Sequence, residues 1–213
     1  AIQAEPDWQR LSCAIAASSS FSVITGGPGT GKTTTVVKLL LVLQQLQQQQ
    51  GAAPLTIQLA APTGKAAVRL RSSIRTTLDR LPASAEIKSQ VPTDVSTLHK
   101  LLGARAQSRQ FKQNALEPLA LDLLVVDEAS MLDVELMAAL LSALPAHARL
   151  ILLGDKDQLA SVEAGALMAE LCQWAEQGHY LPETVAWLNQ LSAAAIPESL
   201  ISQQGKALEQ QIG

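Results

Sequence analysis

Short apolar runs alternate along the chain with longer stretches in which apolar residues recur every three or four positions. The apolar runs predict four strands, at residues 21–25, 56–61, 121–126 and 149–154. The periodic stretches predict six helices, at residues 5–18, 31–50, 65–80, 96–103, 133–144 and 165–177. Nearly continuous apolar strands separated by amphipathic helices are typical of a parallel sheet covered by helices on both faces. We therefore expect an α/β fold with a mostly parallel sheet.

The last part of the chain carries a weaker pattern. No strand is predicted after Gly178, and residues 182–213 are rich in Ala and Gln and only weakly amphipathic. This segment fits either two peripheral helices or a frayed tail, and the pattern does not separate the two. We therefore divide the chain into a main domain at residues 1–178 and a peripheral segment at 179–213.

The composition argues for a globular chain without a transmembrane helix. Hydrophobic residues make up 47% of the 213 residues, which is enough to bury a sizeable core. No apolar run approaches the roughly eighteen residues that a membrane span needs, and no signal peptide follows Ala1. Cys13 and Cys172 form no C-x-x-C motif, so we expect two reduced thiols in a cytoplasmic protein. Because no initiator Met is present, we expect a fragment or a processed chain.

Charge is distributed unevenly along the chain. The net charge is −3, but residues 62–112 carry ten Lys and Arg against three acids, which makes that segment +7 and the remainder −10. This asymmetry permits one basic face on an acidic body, although solvated helix surfaces explain it at least as well on composition alone. Aromatic residues make up only 3% of the chain, which argues against RRM-type or OB-type nucleic-acid binders.

A phosphate-binding loop is predicted between the first strand and the second helix. Residues 26–33 read GGPGTGKT and match the pattern G-x-x-x-x-G-K-[ST]. Glycines let such a loop turn its N–H groups towards phosphates, and the helix that follows adds a partial positive charge. The Lys32 ammonium is expected to reach the β- and γ-phosphates and the Thr33 hydroxyl to bind Mg²⁺. The full set of candidate nucleotide-binding residues in this loop is Gly27, Pro28, Gly29, Thr30, Gly31, Lys32, Thr33 and Thr34.

Polar residues at the ends of two later strands complete a candidate catalytic site. Asp127 and Glu128 follow an apolar strand, and ligands of parallel sheets lie at the carboxyl ends of strands. We expect Asp127 to hold Mg²⁺ through its water shell and Glu128 to act as the general base on the attacking water. Gln158 follows the strand at 149–154; it fits a contact to the γ-phosphate or the attacking water, or an ordinary surface turn.

Two further strand ends carry candidate phosphate contacts. The segment at residues 61–67 places Thr63 and Lys65 at a helix start, where backbone N–H groups bind phosphate. Near the start of the helix predicted at 96–103, His99 is favoured as a structural hydrogen-bonding residue. No second His or Cys lies at ligand spacing, so no zinc site is assigned. From its local sequence alone, Gln9 is an ordinary surface glutamine.

Five segments together resemble the first motor domain of superfamily 1 DNA helicases, specifically the RecD-like alpha subunits of exonuclease V. They are GGPGTGKTTT at 26–35, APTGKAA at 61–67, STLHKLLGA at 96–104, LVVDEASMLD at 124–133 and LGDKDQLASVEAGA at 153–166. They occur in the order of that family. The resemblance implies a RecA-like P-loop NTPase fold, use of ATP and Mg²⁺, and an ATP-dependent DNA helicase of double-strand break repair and recombination.

The resemblance also implies roles that the local sequence does not. It implies that Gln9 recognises adenine and that Gln158 couples the γ-phosphate to domain movement. It implies a path for single-stranded DNA along Pro62, Thr63, Lys65, Thr97 and His99. It implies 5′→3′ movement on DNA and a complex with the beta and gamma subunits of an exonuclease V.

One departure from that family limits the expected activity. Such motors use two lobes, and the second lobe supplies an arginine finger that is worth roughly 10³–10⁵ in turnover. No segment after Gly178 resembles the second lobe, so we expect this chain alone to bind MgATP but to hydrolyse it poorly and not to unwind DNA. Two alternatives stay open: a P-loop ATPase of another class, such as a clamp loader, and a docking module for partner subunits.

Overall fold

Five parallel strands form one sheet at the centre of the protein, in a computed structural model that describes residues 6–105, 110–158, 165–173, 179–192, 194–204 and 210. The strands are β1 (Phe21–Thr25), β2 (Ile57–Ala61), β3 (Val95–Thr97), β4 (Leu123–Val126) and β5 (Arg149–Gly154). Their order across the sheet is β1-β5-β4-β2-β3, and each neighbouring pair is parallel. The predicted α/β fold with a parallel sheet is therefore confirmed.

Five of the eight helices in the described ranges begin after a residue whose side chain caps the first turn. They are α1 (Trp8–Ser18), α2 (Lys32–Gln49), α3 (Gly64–Arg80), α4 (Ala85–Ser89), α5 (Leu98–Leu101), α6 (Val134–Ala143), α7 (Gly165–Leu171) and α8 (Pro182–Asn189). The side chains that accept a first-turn N–H are Asp7 for α1, Thr63 for α3, Ser84 for α4, Thr97 for α5 and Asp133 for α6. Each cap satisfies one of the donors that a helix start leaves unpaired.

Both faces of the sheet are covered, which explains why most positions of its strands are apolar. On β4, Leu123 and Val125 belong to the core under α2 and α3, whereas Leu124 and Val126 belong to the core under α6. This alternation follows from the two-residue period of a strand. All four β4 residues are buried as a result.

The prediction for residues 96–103 was partly wrong. Instead of one helix, the structure has β3 followed by the short helix α5. β3 pairs with β2, with Ala61 opposite Thr97, so long-range pairing determines a strand that is too short to recognise locally. The sequence also gave no prediction for α4. The helix predicted at 165–177 ends at Leu171, and residues 174–177 lie outside the described part of the chain.

The described residues after Gly178 pack on the main domain. α8 and a 3₁₀ turn at Glu198–Leu200 follow each other, and Tyr180, Val185, Leu188 and Ile196 form an apolar cluster with Leu11 and Ile15 of α1. The two alternatives for residues 179–213, two peripheral helices or a frayed tail, stay predictions. The division at residue 178 stays a prediction. None of the described helices is long and apolar enough to cross a membrane.

Candidate functional site

The candidate site residues from five strand ends lie along one edge of the sheet. Because all five strands are parallel, their carboxyl ends meet at that edge. In order across the sheet, the residues that follow the strands are the phosphate loop after β1, Gln158 after β5, Asp127 and Glu128 after β4, Thr63 and Lys65 after β2, and His99 after β3. The nucleotide candidates therefore occupy one half of the edge and the DNA candidates the other half.

The phosphate loop has the backbone conformation that its glycines permit. Gly29 and Gly31 have φ angles of +78° and +90°, which side chains other than glycine rarely adopt. A Cβ on Gly31 would lie 2.6 Å from Nε2 of Gln9. No side chain caps the first turn of α2, where Thr33 and Thr34 lie, so its N–H groups face the loop without a side-chain acceptor. This arrangement fits an anion such as a phosphate.

Lys32 lies at the centre of this loop. Its ammonium donates hydrogen bonds to the carbonyl oxygens of Gly26 and Gly27, the latter at 2.9 Å. The Thr30 hydroxyl donates to the same Gly27 oxygen at 2.9 Å. Pro28 and Gly29 are exposed at the tip of the loop. The half-buried lysine is therefore held among the backbone groups of the loop.

Asp127 is held rigidly and keeps one oxygen for a ligand. Its N–H donates to the Ala60 carbonyl at 3.0 Å, and its Oδ1 accepts the Glu128 N–H at 2.9 Å. Oδ2 accepts no hydrogen bond from any residue that the structure describes. Burial raises the pKa of the Asp127 carboxyl above its ordinary value of 3.8. The hydrogen bond from the Glu128 N–H lowers this pKa, the charge of Glu128 raises it, and Lys32 lowers it. A hard cation with oxygen ligands, such as Mg²⁺, fits this carboxylate.

Glu128 has a strained backbone. Its φ and ψ angles are 54° and 40°, and among the described residues it is the one non-glycine residue with a positive φ. This left-handed conformation costs about 1 kcal/mol for a residue with a Cβ. It turns the chain from β4 into the 3₁₀ turn Ala129–Met131 and leaves the half-buried glutamate at the sheet edge. The sequence gives no signal for this conformation.

Gln158 is bonded to a residue that sequence reasoning missed. The buried hydroxyl of Ser130 donates to Oε1 of Gln158 at 2.7 Å. The two segments can approach because Gly154 has no side chain: a Cβ there would lie 3.2 Å from the Ser130 nitrogen. Close by, the Lys156 N–H donates to Oγ1 of Thr25 at 3.2 Å. The segment that carries Gln158 is thus tied to both neighbouring strands.

The DNA candidates Pro62, Thr63, Lys65, Thr97 and His99 lie side by side after β2 and β3. Oγ1 of Thr63 accepts the Ala66 N–H at 3.2 Å, and Oγ1 of Thr97 accepts the Lys100 N–H at 3.3 Å. Both hydroxyls are therefore helix caps, and each keeps its own hydrogen to donate.

Two of these candidates are exposed at the sheet edge. The Lys65 side chain is exposed at the start of α3. His99, which was favoured as a structural residue, is also exposed, and its ring centroid lies 5.9 Å from that of Phe111. No group of three His, Cys, Asp or Glu residues in the described ranges is placed to hold a metal ion.

Part of the basic segment forms an exposed surface next to these residues. On α3, Arg69, Arg75 and Arg80 are exposed, and Lys100 is exposed on α5. Arg71 is instead half-buried, lies 3.5 Å from the Asp94 carboxylate and donates to the Val95 carbonyl. The basic face that the charge distribution permits is thus present along α3, beside Lys65.

Gln9 lies against the phosphate loop. Its Nε2 donates to the Thr30 carbonyl at 3.2 Å, although Gln9 and Thr30 are far apart in the chain. Its Oε1 accepts no hydrogen bond from the described residues. The carboxamide can therefore offer an acceptor, and its second N–H, to the edge of a base, which is the pattern that glutamine presents to adenine.

Comparison with known proteins identifies a family and several relatives that match most of this chain. Residues 9–164 match the family described as AAA domain. RecBCD enzyme subunit RecD of Haemophilus influenzae is 50% identical over 190 residues, which are 87% of this chain and 29% of that protein. RecD of Mycolicibacterium smegmatis is 45% identical over 166 residues, 78% of this chain and 30% of the relative. The ATP-dependent RecD2 DNA helicase of Deinococcus radiodurans is 42% identical over 151 residues, which are 71% of this chain and 18% of that protein. The chain spans less than a third of these relatives.

Proposed function

The chain belongs to the AAA domain family, and on that premise we propose that it is the ATP-binding lobe of an ATP-dependent DNA helicase. One observation carries this proposal: the phosphate loop, the Asp127–Glu128 pair and the Thr63–Lys65 helix start lie along one edge of a parallel sheet. Phosphate chemistry and a basic strand-binding surface are thus built on the same rigid elements. A change at one can be transmitted to the other through β4 and β2, which are hydrogen-bonded neighbours.

Each candidate residue in the nucleotide half of the site has its own proposed role. The loop N–H groups and Lys32 hold the phosphates, while Thr33 and Asp127 would hold Mg²⁺, which supplies charge neutralisation at the phosphates. Glu128 accepts the proton of the attacking water, and Gln158 contacts the γ-phosphate or that water. Gln9 binds the base edge. Oδ2 of Asp127, which accepts no hydrogen bond from the described residues, supports the cation assignment.

The DNA half binds phosphates rather than bases. Lys65 supplies a charge, and the N–H groups at the starts of α3 and α5, with the hydroxyls of Thr63 and Thr97, supply donors. Pro62 and His99 border the same path. Such contacts carry no sequence information, as is required of a motor that moves along any strand.

We also propose that the chain acts in a multisubunit DNA-repair enzyme with beta and gamma subunits of the exonuclease V kind, which its similarity to RecBCD enzyme subunit RecD supports. We propose residues 1–178 as the lobe and 179–213 as its peripheral segment. Without an arginine finger from a second lobe, turnover by this chain alone is expected to be low.

The experiment is fluorescence anisotropy of a labelled single-stranded oligonucleotide, titrated with the protein in the presence and absence of a non-hydrolysable MgATP analogue. We expect binding that weakens with salt and shifts with nucleotide. Lys32→Ala should remove the nucleotide effect only. Lys65→Ala should weaken binding to all sequences and reduce the salt slope by about 1, whereas Lys38→Ala, on the exposed side of α2, should not.

Other outcomes select the alternatives. Nucleotide binding that depends on Lys32, together with DNA binding that ignores Lys65 and Thr97, would identify a P-loop ATPase of another class. A melting temperature that is unchanged by MgATP would favour a docking module, because a ligand that binds the folded state must stabilise it.

A further inference from the structure

A cavity of about 450 Å³ lies beside the phosphate loop. Three parts of the chain line it. They are the loop with its flanking elements (Ile24, Thr25, Gly26, Thr30, Lys32, Thr35), helix α1 (Trp8, Gln9, Ser12) and the segment after α7 (His179, Tyr180, Leu200). The third part comes from a region to which the sequence assigned no role.

The wall that this third part forms is built from two short paired segments. The N–H groups of His179 and Tyr180 both donate to the Leu200 carbonyl, at 3.1 and 3.0 Å. The Ser202 N–H donates to the Tyr180 carbonyl at 2.8 Å, so that Tyr180 lies opposite Ile201 in a parallel bridge. These bonds fix His179, Tyr180 and Leu200 as neighbours on one side of the cavity.

The same wall is anchored to α1. Tyr180 is 3% exposed and packs in an apolar cluster with Leu11 and Ile15 of that helix. The His179 ring centroid lies 3.9 Å from that of Tyr180. Since α1 also carries Gln9, which bonds to the loop at Thr30, the wall and the phosphate loop are held by one helix.

The parts of the cavity lining differ in chemistry. The loop supplies the Lys32 ammonium and glycine backbone, whereas the third part supplies two aromatic rings and the aliphatic Leu200. A nucleoside triphosphate has the same division, with charged phosphates at one end and a base with apolar faces at the other. The volume lies within the range of about 300–1,000 Å³ that small-molecule pockets occupy.

We propose that His179, Tyr180 and Leu200 form the wall that encloses the nucleoside part of ATP in this cavity. The segment after α7 is then part of the nucleotide site and makes it prefer a nucleoside triphosphate over a bare polyphosphate chain. This inference rests on the proposed ATP-binding function. The phosphate loop and Gln9 alone do not enclose the nucleoside, and these three residues complete the enclosure.

The experiment compares two ligands by calorimetry on the protein: a non-hydrolysable MgATP analogue and magnesium tripolyphosphate, which lacks the nucleoside. Leu200→Trp places a larger side chain in the cavity. We expect this variant to bind the ATP analogue about tenfold or more weakly than wild type, and to bind tripolyphosphate with an affinity within about twofold of wild type. If the variant loses affinity for both ligands to the same extent, or for neither ligand, the inference is overturned.

A matched control separates the wall from general stability. Val185 is buried in the same apolar cluster but does not line the cavity. Val185→Ala should lower the melting temperature and keep the wild-type preference for the ATP analogue. If Leu200→Trp does not fold, Leu200→Ala opens the wall instead, and it should weaken the ATP analogue selectively. Wild-type protein that binds neither ligand would refute the proposed function itself. A folded variant that keeps the wild-type preference for the ATP analogue over tripolyphosphate would refute only the proposed wall.

A second measurement needs no variant. Photolysis of bound 8-azido-ATP, whose reactive nitrogen is on the base, should label peptides that contain His179, Tyr180 or Leu200, and excess ATP should suppress the labelling. Labelling confined to α1 and the loop would contradict the proposed wall.

Discussion

The buried hydroxyl of Ser130 donates a 2.7 Å hydrogen bond to the side-chain oxygen of Gln158. This bond joins the turn after β4, which carries Asp127 and Glu128, to the turn after β5. Gln158 is otherwise exposed, so the serine fixes the orientation of a side chain that would sample several rotamers. The pair links the acidic strand end to the residue proposed to sense the γ-phosphate.

Replacement of Ser130 by Ala should therefore slow turnover without preventing nucleotide binding. The lost hydrogen bond predicts a decrease of roughly three- to tenfold in DNA-stimulated ATP hydrolysis by the full-length protein, with the affinity for MgATP unchanged. Steady-state ATPase assays with single-stranded DNA and calorimetry test the two parts. Ser89→Ala, at an exposed serine of α4, is the control. Wild-type turnover in Ser130→Ala would show that the bond does not position Gln158.

Two substitutions of Glu128 separate its chemistry from its backbone strain. Glu128→Gln keeps the shape and removes the base, so turnover by the full-length protein should fall about 10²–10⁴-fold while ATP binding persists. Glu128→Gly should be equally inactive, yet the free energy of unfolding should change by only about 0.5 kcal/mol or less. Relief of the left-handed conformation offsets the greater freedom that glycine gives the unfolded chain.

The stability half of this prediction has an internal control. Glu135, in the first turn of α6, has no such strain, and Glu135→Gly should cost about 1 kcal/mol in urea unfolding. A cost for Glu128→Gly as large as that for Glu135→Gly would mean that the strain is absent in solution.

The sequence predicted the elements whose signals are local. β1 and β5 were predicted with their observed bounds, because both are continuous apolar runs between turn residues. The phosphate loop was recognisable because glycine, lysine and threonine occur at fixed spacing. Its contact with Gln9 was not predicted, since it joins residues that are distant in the chain; the resemblance implied only that Gln9 recognises adenine.

What the sequence did not predict depends on long-range contacts. β3 has three residues and exists through its pairing with β2. The Ser130–Gln158 bond needs the close approach that Gly154 permits. The wall at Tyr180 and Leu200 forms because weakly amphipathic segments pack on α1, which no periodicity in those segments specifies.

The two cysteine thiols should react slowly in the folded protein. Burial raises the pKa of Cys13 and of Cys172 from 9.0 to about 11, and the Cys13 thiol also donates to the Thr35 carbonyl. At pH 8 the thiolate population is then about a hundredfold below that of the unfolded chain. Labelling with Ellman's reagent should be correspondingly slower in native buffer than in guanidinium chloride.

The same shifts predict a direction for stability at alkaline pH. Because the folded pKa values exceed the unfolded ones, the folded state favours the neutral thiols, and stability is lost as the pH rises from about 9 towards 11. Replacement of both cysteines by Ala should flatten that part of the pH profile. Equal labelling rates in native and denatured protein would contradict the burial of both thiols.

Gln44, in the glutamine run at the end of α2, has a structural role. It is fully buried; its Nε2 donates to the carbonyls of Leu55 and Gln90, both at 3.0 Å, and its Oε1 accepts the Leu55 N–H at 2.9 Å. One side chain thus joins α2 to the segment before β2 and to the end of α4. Gln44→Leu would leave three buried backbone groups without this partner, which predicts a loss of about 2–4 kcal/mol in the free energy of unfolding. Gln45→Leu, one position along and exposed, should change it by less than about 0.5 kcal/mol, so similar urea midpoints for the two variants would show that the buried bonds contribute nothing.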